Sequence, residues 1–168
     1  MNADSHARAS ALPSVFPSLL CAEDSDEIIE TAERDGWNLS PDSVDDQPAW
    51  EKDFANHRIG ELTVIRVRNA ILRAFPNTTL SGYKVYVRKY APDNRASLPS
   101  HTDKSRISVS LALNEDYEGG DLYYENAEGN DQNVSLKKGD AFVFGGDLMH
   151  GVRPVREGVR YSLVVIFV

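Results

Sequence analysis

Ile107-Ser108-Val109-Ser110-Leu111-Ala112-Leu113 alternates with a period of two, which places Ser108 and Ser110 together on one face of a strand. The same rhythm runs upstream through Tyr83-Lys84-Val85-Tyr86-Val87-Arg88-Lys89-Tyr90. Downstream, Gly119-Gly120 marks a turn before Asp121-Leu122-Tyr123-Tyr124-Glu125, and Lys138-Gly139-Asp140 marks another before Ala141-Phe142-Val143-Phe144. Tyr161 to Val168 is almost wholly apolar, which predicts a fully buried strand.

The first half of the chain reads differently. Asp24-Ser25-Asp26 caps a predicted helix over Glu27-Ile28-Ile29-Glu30-Thr31-Ala32-Glu33-Arg34, with Gly36 as its stop. Asn38 to Trp50 is rich in Ser, Pro, Asp and Asn and reads as a long loop with Trp37 and Trp50 at its ends. His57 to Phe75 carries an apolar helical stripe through Ile59, Leu62, Ile65, Ala70, Ile71 and Ala74, ended by Pro76. Helices first and then many short strands between Gly-rich turns predict a mainly β jelly roll with flanking helices. Alternating βαβ units and a phosphate-binding glycine loop are both lacking. The first eleven residues read as a flexible tail leading into a first strand, rather than as a signal or transit peptide, and 12–168 as one domain.

With 168 residues, of which 41% are hydrophobic, the chain can enclose a substantial core. A net charge of −8 argues against a nucleic-acid partner and makes a basic peptide or a small molecule easier to accommodate. The single cysteine, Cys21, excludes an intrachain disulfide and a zinc site built on several cysteines, and favours a reducing, cytoplasmic setting. The longest apolar runs are too short to span a bilayer.

His101-Thr102-Asp103 carries the chemistry. In an extended segment, residues two apart project from one face, so an imidazole and a carboxylate can converge on a point. Alone the pair is a weak signal, because such a spacing also occurs in polar turns. His150, in Gly145-Gly146-Asp147-Leu148-Met149-His150-Gly151-Val152, can close a triad from another wall of the same barrel. Two imidazoles and one carboxylate leave open positions on a metal, which suits iron(II) oxygen chemistry; zinc also accepts such ligands. Arg160 enters the last apolar strand, where a guanidinium is costly unless an anion meets it. Its planar fork matches a carboxylate, and Ser162 on the same strand face can add a hydroxyl. An internal salt bridge is the competing reading of Arg160.

His101-x-Asp103, a distal His150 and an arginine ten residues beyond it resemble the iron(II)- and 2-oxoglutarate-dependent dioxygenases of the prolyl and lysyl hydroxylase type. Leu113-Asn114 with Tyr117-Glu118-Gly119-Gly120-Asp121-Leu122 is similar to that family's hairpin after the first ligands. Lys138 to Phe144 and Pro154 to Tyr161 match further segments, and Phe16-Pro17-Ser18-Leu19-Leu20 resembles the domain entrance. The resemblance implies a double-stranded β-helix, related to cupins, with His101, Asp103 and His150 on iron and Arg160 on the distal carboxylate of 2-oxoglutarate. Ser162 and Tyr90 become candidate co-substrate contacts, with a packed core aromatic as the alternative for Tyr90.

The implied reaction is hydroxylation of a C–H bond by O2 with release of succinate and CO2, and ascorbate is a candidate reductant. Asp103 argues for hydroxylation, because related halogenases replace that carboxylate. The resemblance favours a peptidyl prolyl or lysyl substrate over a free amino acid or small metabolite. A nucleic-acid base is disfavoured, since repair-type relatives carry a second arginine that is missing after Arg160, and a cupin binding barrel is disfavoured by the absence of His-x-His. The remaining polar residues read as ordinary. His6, His57 and the run Asp42 to Asp46 read as solvated, Cys21 as packing, Asp147 as a loop cap, and Trp37 and Trp50 as core anchors.

Overall fold

The computed structural model describes residues 12–168; the tail expected at 1–11 lies outside the described residues. In chain order the elements are β1 (Ser14–Phe16), α1 (Ala22–Asp35), β2 (Asn38–Pro41), β3 (Pro48–Asp53), α2 (Arg58–Ala74), β4 (Tyr83–Tyr90) and β5 (Leu98–His101). There follow β6 (Ile107–Ala112), β7 (Tyr117–Gly119), β8 (Leu122–Glu125), β9 (Asp131–Val134), β10 (Ala141–Gly145), β11 (His150–Val152), β12 (Val155–Gly158) and β13 (Arg160–Phe167).

α1 begins ahead of the acidic run. Cys21 is its exposed N-cap, with the sulfur accepting from the Asp24 backbone N–H at 3.4 Å, so Glu23 and Asp24 fall in the first turn beside the positive helix end. Cys21 is therefore a cap and not a packing residue. α2 ends before Pro76 as its sequence predicts, because proline disfavours helical geometry in the residue before it.

All strand pairs are antiparallel. One sheet runs β1-β10-β6-β13-β4-β3-β2, a second runs β5-β11-β8-β9, and β12 pairs with β7. The strand period of two gives the large sheet two apolar faces. Val87, Val109, Leu163, Val165 and Phe167 face α1 and α2 and pack with Ile28, Val67 and Ile71. Each such side chain contributes about 1.5–3 kcal/mol of burial. On the opposite face Phe142 and Phe144 of β10 pack with Leu98, Leu122 and Val152 of the smaller sheet. The result is a jelly roll, the double-stranded β-helix, with two helices outside it.

Two segments differ from their sequence reading. β13 is not buried throughout: Leu163, Val165 and Phe167 are enclosed among the helices, whereas Val164 and Ile166 are half-buried and line a cavity between the sheets. The strand is apolar on both faces because one meets the core and the other a pocket wall. Asn38 to Trp50 is a hairpin rather than a loop. Its turn is closed by Asp42 N–H donating to Gln47 O at 2.8 Å and Asp46 N–H donating to Asp42 O at 2.9 Å. β3 then adds to β4, with Trp50 opposite Lys89, and that ladder overrides the turn-like composition. Among the described residues no helix is long and apolar enough to cross a membrane.

Candidate functional site

β5 and β11 run side by side with His101 directly opposite His150. Gly151 permits this approach, because a Cβ there would lie 2.7 Å from the Leu98 carbonyl oxygen. Asp103 follows β5 and is fixed by its N–H donating to Gly146 O at 3.0 Å. The imidazole orientation follows from backbone acceptors. His101 Nδ1 lies 2.8 Å from Pro99 O and His150 Nδ1 lies 2.9 Å from Leu148 O. A carbonyl can only accept, so in the neutral imidazoles Nδ1 carries the proton and each Nε2 presents a lone pair.

Both Nε2 atoms face Asp103, at 3.3 Å from Oδ1 for His101 and 3.6 Å from Oδ2 for His150. The three ligand atoms lie within 4.8 Å of one another. Two fixed imidazole donors and one carboxylate therefore suit a divalent cation of the iron or zinc type. The backbone acceptors hold the rings as the outer partners of a metal site do, and Phe144 packs at 4.4 Å centroid distance from His150.

Charge inside this cluster is uneven. Burial alone raises the Asp103 carboxyl, but the His101 contact, the His150 charge and Ser108 hold it below the usual carboxylate range. Burial pushes His150 down, only partly offset by Asp103. His101 is also penalised by burial, yet the Asp103 and Pro99 contacts raise it overall.

The cluster opens into a cavity of about 1040 Å³ between the two sheets, floored by Ser110, Ser162 and Val164. Arg160 lines it at 3% exposure, opposite Tyr90 in the β13–β4 ladder, with its guanidinium carbon 5.4 Å from the Tyr90 ring centroid. Arg160 Nη1 donates to Ser162 Oγ at 3.2 Å. Among the described residues no carboxylate lies within ion-pair distance of Arg160, which disposes of the internal salt bridge. A buried guanidinium with a single neutral acceptor fits an anionic guest. Gly120, at φ 68°, leaves room for it: a Cβ there would lie 3.1 Å from Arg160 Cδ. Tyr90 is 2% exposed and belongs both to the inter-sheet core and to the cavity wall.

The sequence reading missed Arg88. It shares the cavity face of β4 with Tyr86 and Tyr90, and Asp42 and Glu51 hold it at 2.9 and 2.5 Å. The signal was present in the alternation Lys84, Tyr86, Arg88, Tyr90, which puts a cation on the face that also carries the candidate tyrosine. Asp42, read as solvated, is buried and also lies 3.6 Å from Arg95. Asp147 is exposed, as a loop residue is.

Trp37 and Trp50 stay off the cavity and flank Lys89 Nζ, each ring centroid at 5.3 Å, with Tyr161 at 5.7 Å. His57 is not simply solvated, since it stacks on Phe54 at 4.5 Å and contacts Asp35 at 2.9 Å.

The sequence profile of the 2OG-Fe(II) oxygenase superfamily matches residues 85–168, a span that contains all six candidate site residues. The chain is 30% identical over 92 residues to the human 2-oxoglutarate and iron-dependent oxygenase domain-containing protein 2, covering 51% of this chain and 26% of that protein. It is 33% identical over 100 residues to human procollagen-lysine,2-oxoglutarate 5-dioxygenase 2, covering 55% of this chain and 13% of that protein. The chain thus spans about a quarter or less of the length of these relatives. A prolyl-4-hydroxylase from Pseudomonas putida superposes with a TM-score of 0.74 at 22% identity, covering 94% of this chain and 93% of the other, which shows a shared fold.

Proposed function

The chain belongs to the 2OG-Fe(II) oxygenase superfamily, and on that premise we propose that it is an iron(II)- and 2-oxoglutarate-dependent dioxygenase that hydroxylates a C–H bond. One observation carries the reading. Two imidazoles and a carboxylate converge at a cavity that also holds a buried arginine with no carboxylate partner among the described residues.

In this reading His101, Asp103 and His150 hold iron through Nε2, a carboxylate oxygen and Nε2. Iron(II) with 2-oxoglutarate supplies a coupled oxidation in which R–H, O2 and 2-oxoglutarate give R–OH, succinate and CO2. The protein positions the reactants. Arg160 receives the distal carboxylate, with the Ser162 hydroxyl as neighbour and Tyr90 as the wall beside it. The inter-sheet core of Phe142, Phe144 and Leu98 keeps bulk water from the reacting atoms. The domain responsible is 12–168.

The substrate we propose is a peptidyl prolyl or lysyl residue. The procollagen-lysine dioxygenase and the prolyl-4-hydroxylase named above support it, and so does a cavity too wide for 2-oxoglutarate alone. The test is stoichiometry. Purified protein with iron(II), O2 and 2-oxoglutarate should release succinate, faster with a peptide substrate and at background without iron(II). Succinate release that ignores iron(II) would refute the reading.

A further inference from the structure

Arg88 is unlike the other charged groups in the cavity. Its Nε donates to Glu51 Oε1 at 2.7 Å, and its Nη2 lies 2.5 Å from the same oxygen and 2.9 Å from Asp42 Oδ2. The two contacts to Glu51 engage the Nε–Nη2 edge of the guanidinium and fix its plane, because the fork is rigid, and Asp42 adds a charge beside Nη2. Nη1 is the nitrogen left without a partner among the described residues. Arg88 stands on the cavity face of β4 directly opposite Ser162, two register positions along the ladder from the Arg160–Tyr90 pair. Its side chain is 14% exposed, so what it presents to the cavity is a small, oriented donor surface.

The charges around it say what acceptor it suits. Arg88 and Arg95 carry two positive charges, and Asp42, Asp45 and Glu51, which pair with them, carry three negative ones. The cluster is therefore net negative by one. A second carboxylate brought to Nη1 would meet this surplus at close range, whereas a neutral carbonyl oxygen gains an oriented N–H without the repulsion. Arg160, which has no carboxylate partner among the described residues, makes the contrast within the same cavity.

We propose that Arg88 is a specificity-determining residue that donates through Nη1 to an amide carbonyl of the substrate. The site thereby selects a residue within a peptide over a free amino acid. The inference rests on the oxygenase reading of the site and narrows it: the donor tells a peptide bond from a terminal carboxylate, and Asp42 and Glu51 keep it from doing the reverse.

The test is calorimetric, in zinc-loaded protein saturated with 2-oxoglutarate, where no turnover occurs. The probes are N-acetyl, C-amide tripeptides Gly-Pro-Gly and Gly-Lys-Gly, with free L-proline and L-lysine. One capped tripeptide should bind more tightly than either free amino acid. Arg88→Gln should weaken that binding about tenfold or more, the scale of one charge-assisted hydrogen bond, and leave the 2-oxoglutarate affinity unchanged. Arg88→Lys keeps the charge and loses the fork, so it should show the same loss and serves if the Gln variant does not fold. Glu51→Gln should move the preference toward free amino acids.

Equal or tighter binding of a free amino acid, wild-type peptide affinity in both Arg88 variants, or binding of none of the four probes overturns the proposal. The affinity for 2-oxoglutarate, measured in the same protein, separates the two levels. If it is retained, only the role of Arg88 has failed; if it is absent, the oxygenase reading has failed.

Discussion

His101 and His150 are direct register partners across β5 and β11, and Gly151 is the residue that lets their strands come together. A methyl group at Gly151 would sit 2.7 Å from the Leu98 carbonyl oxygen and 2.7 Å from the Tyr123 hydroxyl oxygen. Tyr123 can swing aside, but the β5 backbone can yield only by moving away from β11. Gly151→Ala should therefore weaken divalent-metal binding at least about tenfold, the range seen when the outer support of a metal site is disturbed, while most of the fold survives. Metal titration beside a thermal melt checks this; unchanged affinity would mean that the strand spacing does not set the triad.

Asp42 anchors the β2–β3 turn from inside the protein. Its side chain is 1% exposed, it lies 2.9 Å from Arg88 and 3.6 Å from Arg95, and its Oδ1 accepts the Val44 N–H at 2.9 Å. Removing one partner of a buried ion pair strands the other charges. Asp42→Ala should lower the unfolding free energy by about 3–5 kcal/mol in urea denaturation. A loss below about 1 kcal/mol, the scale of an exposed pair, would show that water reaches this cluster freely.

Much of this architecture was legible because it is local. β4 and β13 announce themselves by alternation, and His101-x-Asp103 by the strand period that puts both side chains on one face. α2 is fixed by its stripe and by Pro76. The β2–β3 hairpin was illegible because Pro41, Asp42, Pro48 and the serines favour turns one residue at a time. What makes them strands is the ladder to β4, a contact remote in sequence. Arg88 was missed for a related reason: Glu51 and Asp42, which orient it, lie in the segment that read as a solvated loop. Arg160 is conspicuous in the sequence as an arginine heading an apolar strand, but only the packed structure shows that among the described residues no carboxylate lies within ion-pair distance of it.

Glu33 ties α1 to the large sheet and carries a pH signature. Burial alone would raise its carboxyl, but hydrogen bonds from Lys89 at 2.7 Å, Tyr161 at 2.6 Å and Trp37 at 3.1 Å lower it below the ordinary value of 4.5. A carboxyl depressed in the folded state adds stability above its unfolded value, and that stability is lost as the pH falls through the depressed folded value. Glu33→Gln should be the less stable protein at pH 7, and the gap should close as the pH drops below 4.5. A gap that stays constant down to pH 3 would assign its effect to packing.

In the function proposed above, His101, Asp103 and His150 hold iron(II) beside a 2-oxoglutarate site anchored by Arg160. The most direct measurement is an anaerobic titration of 2-oxoglutarate into the iron(II) protein, following the visible metal-to-ligand charge-transfer band of the chelated keto acid. A saturable band is expected, lost in His150→Ala and displaced to at least about tenfold higher 2-oxoglutarate concentration in Arg160→Ala. No band from well-folded, iron-loaded protein, or an unaltered band in both variants, would contradict it.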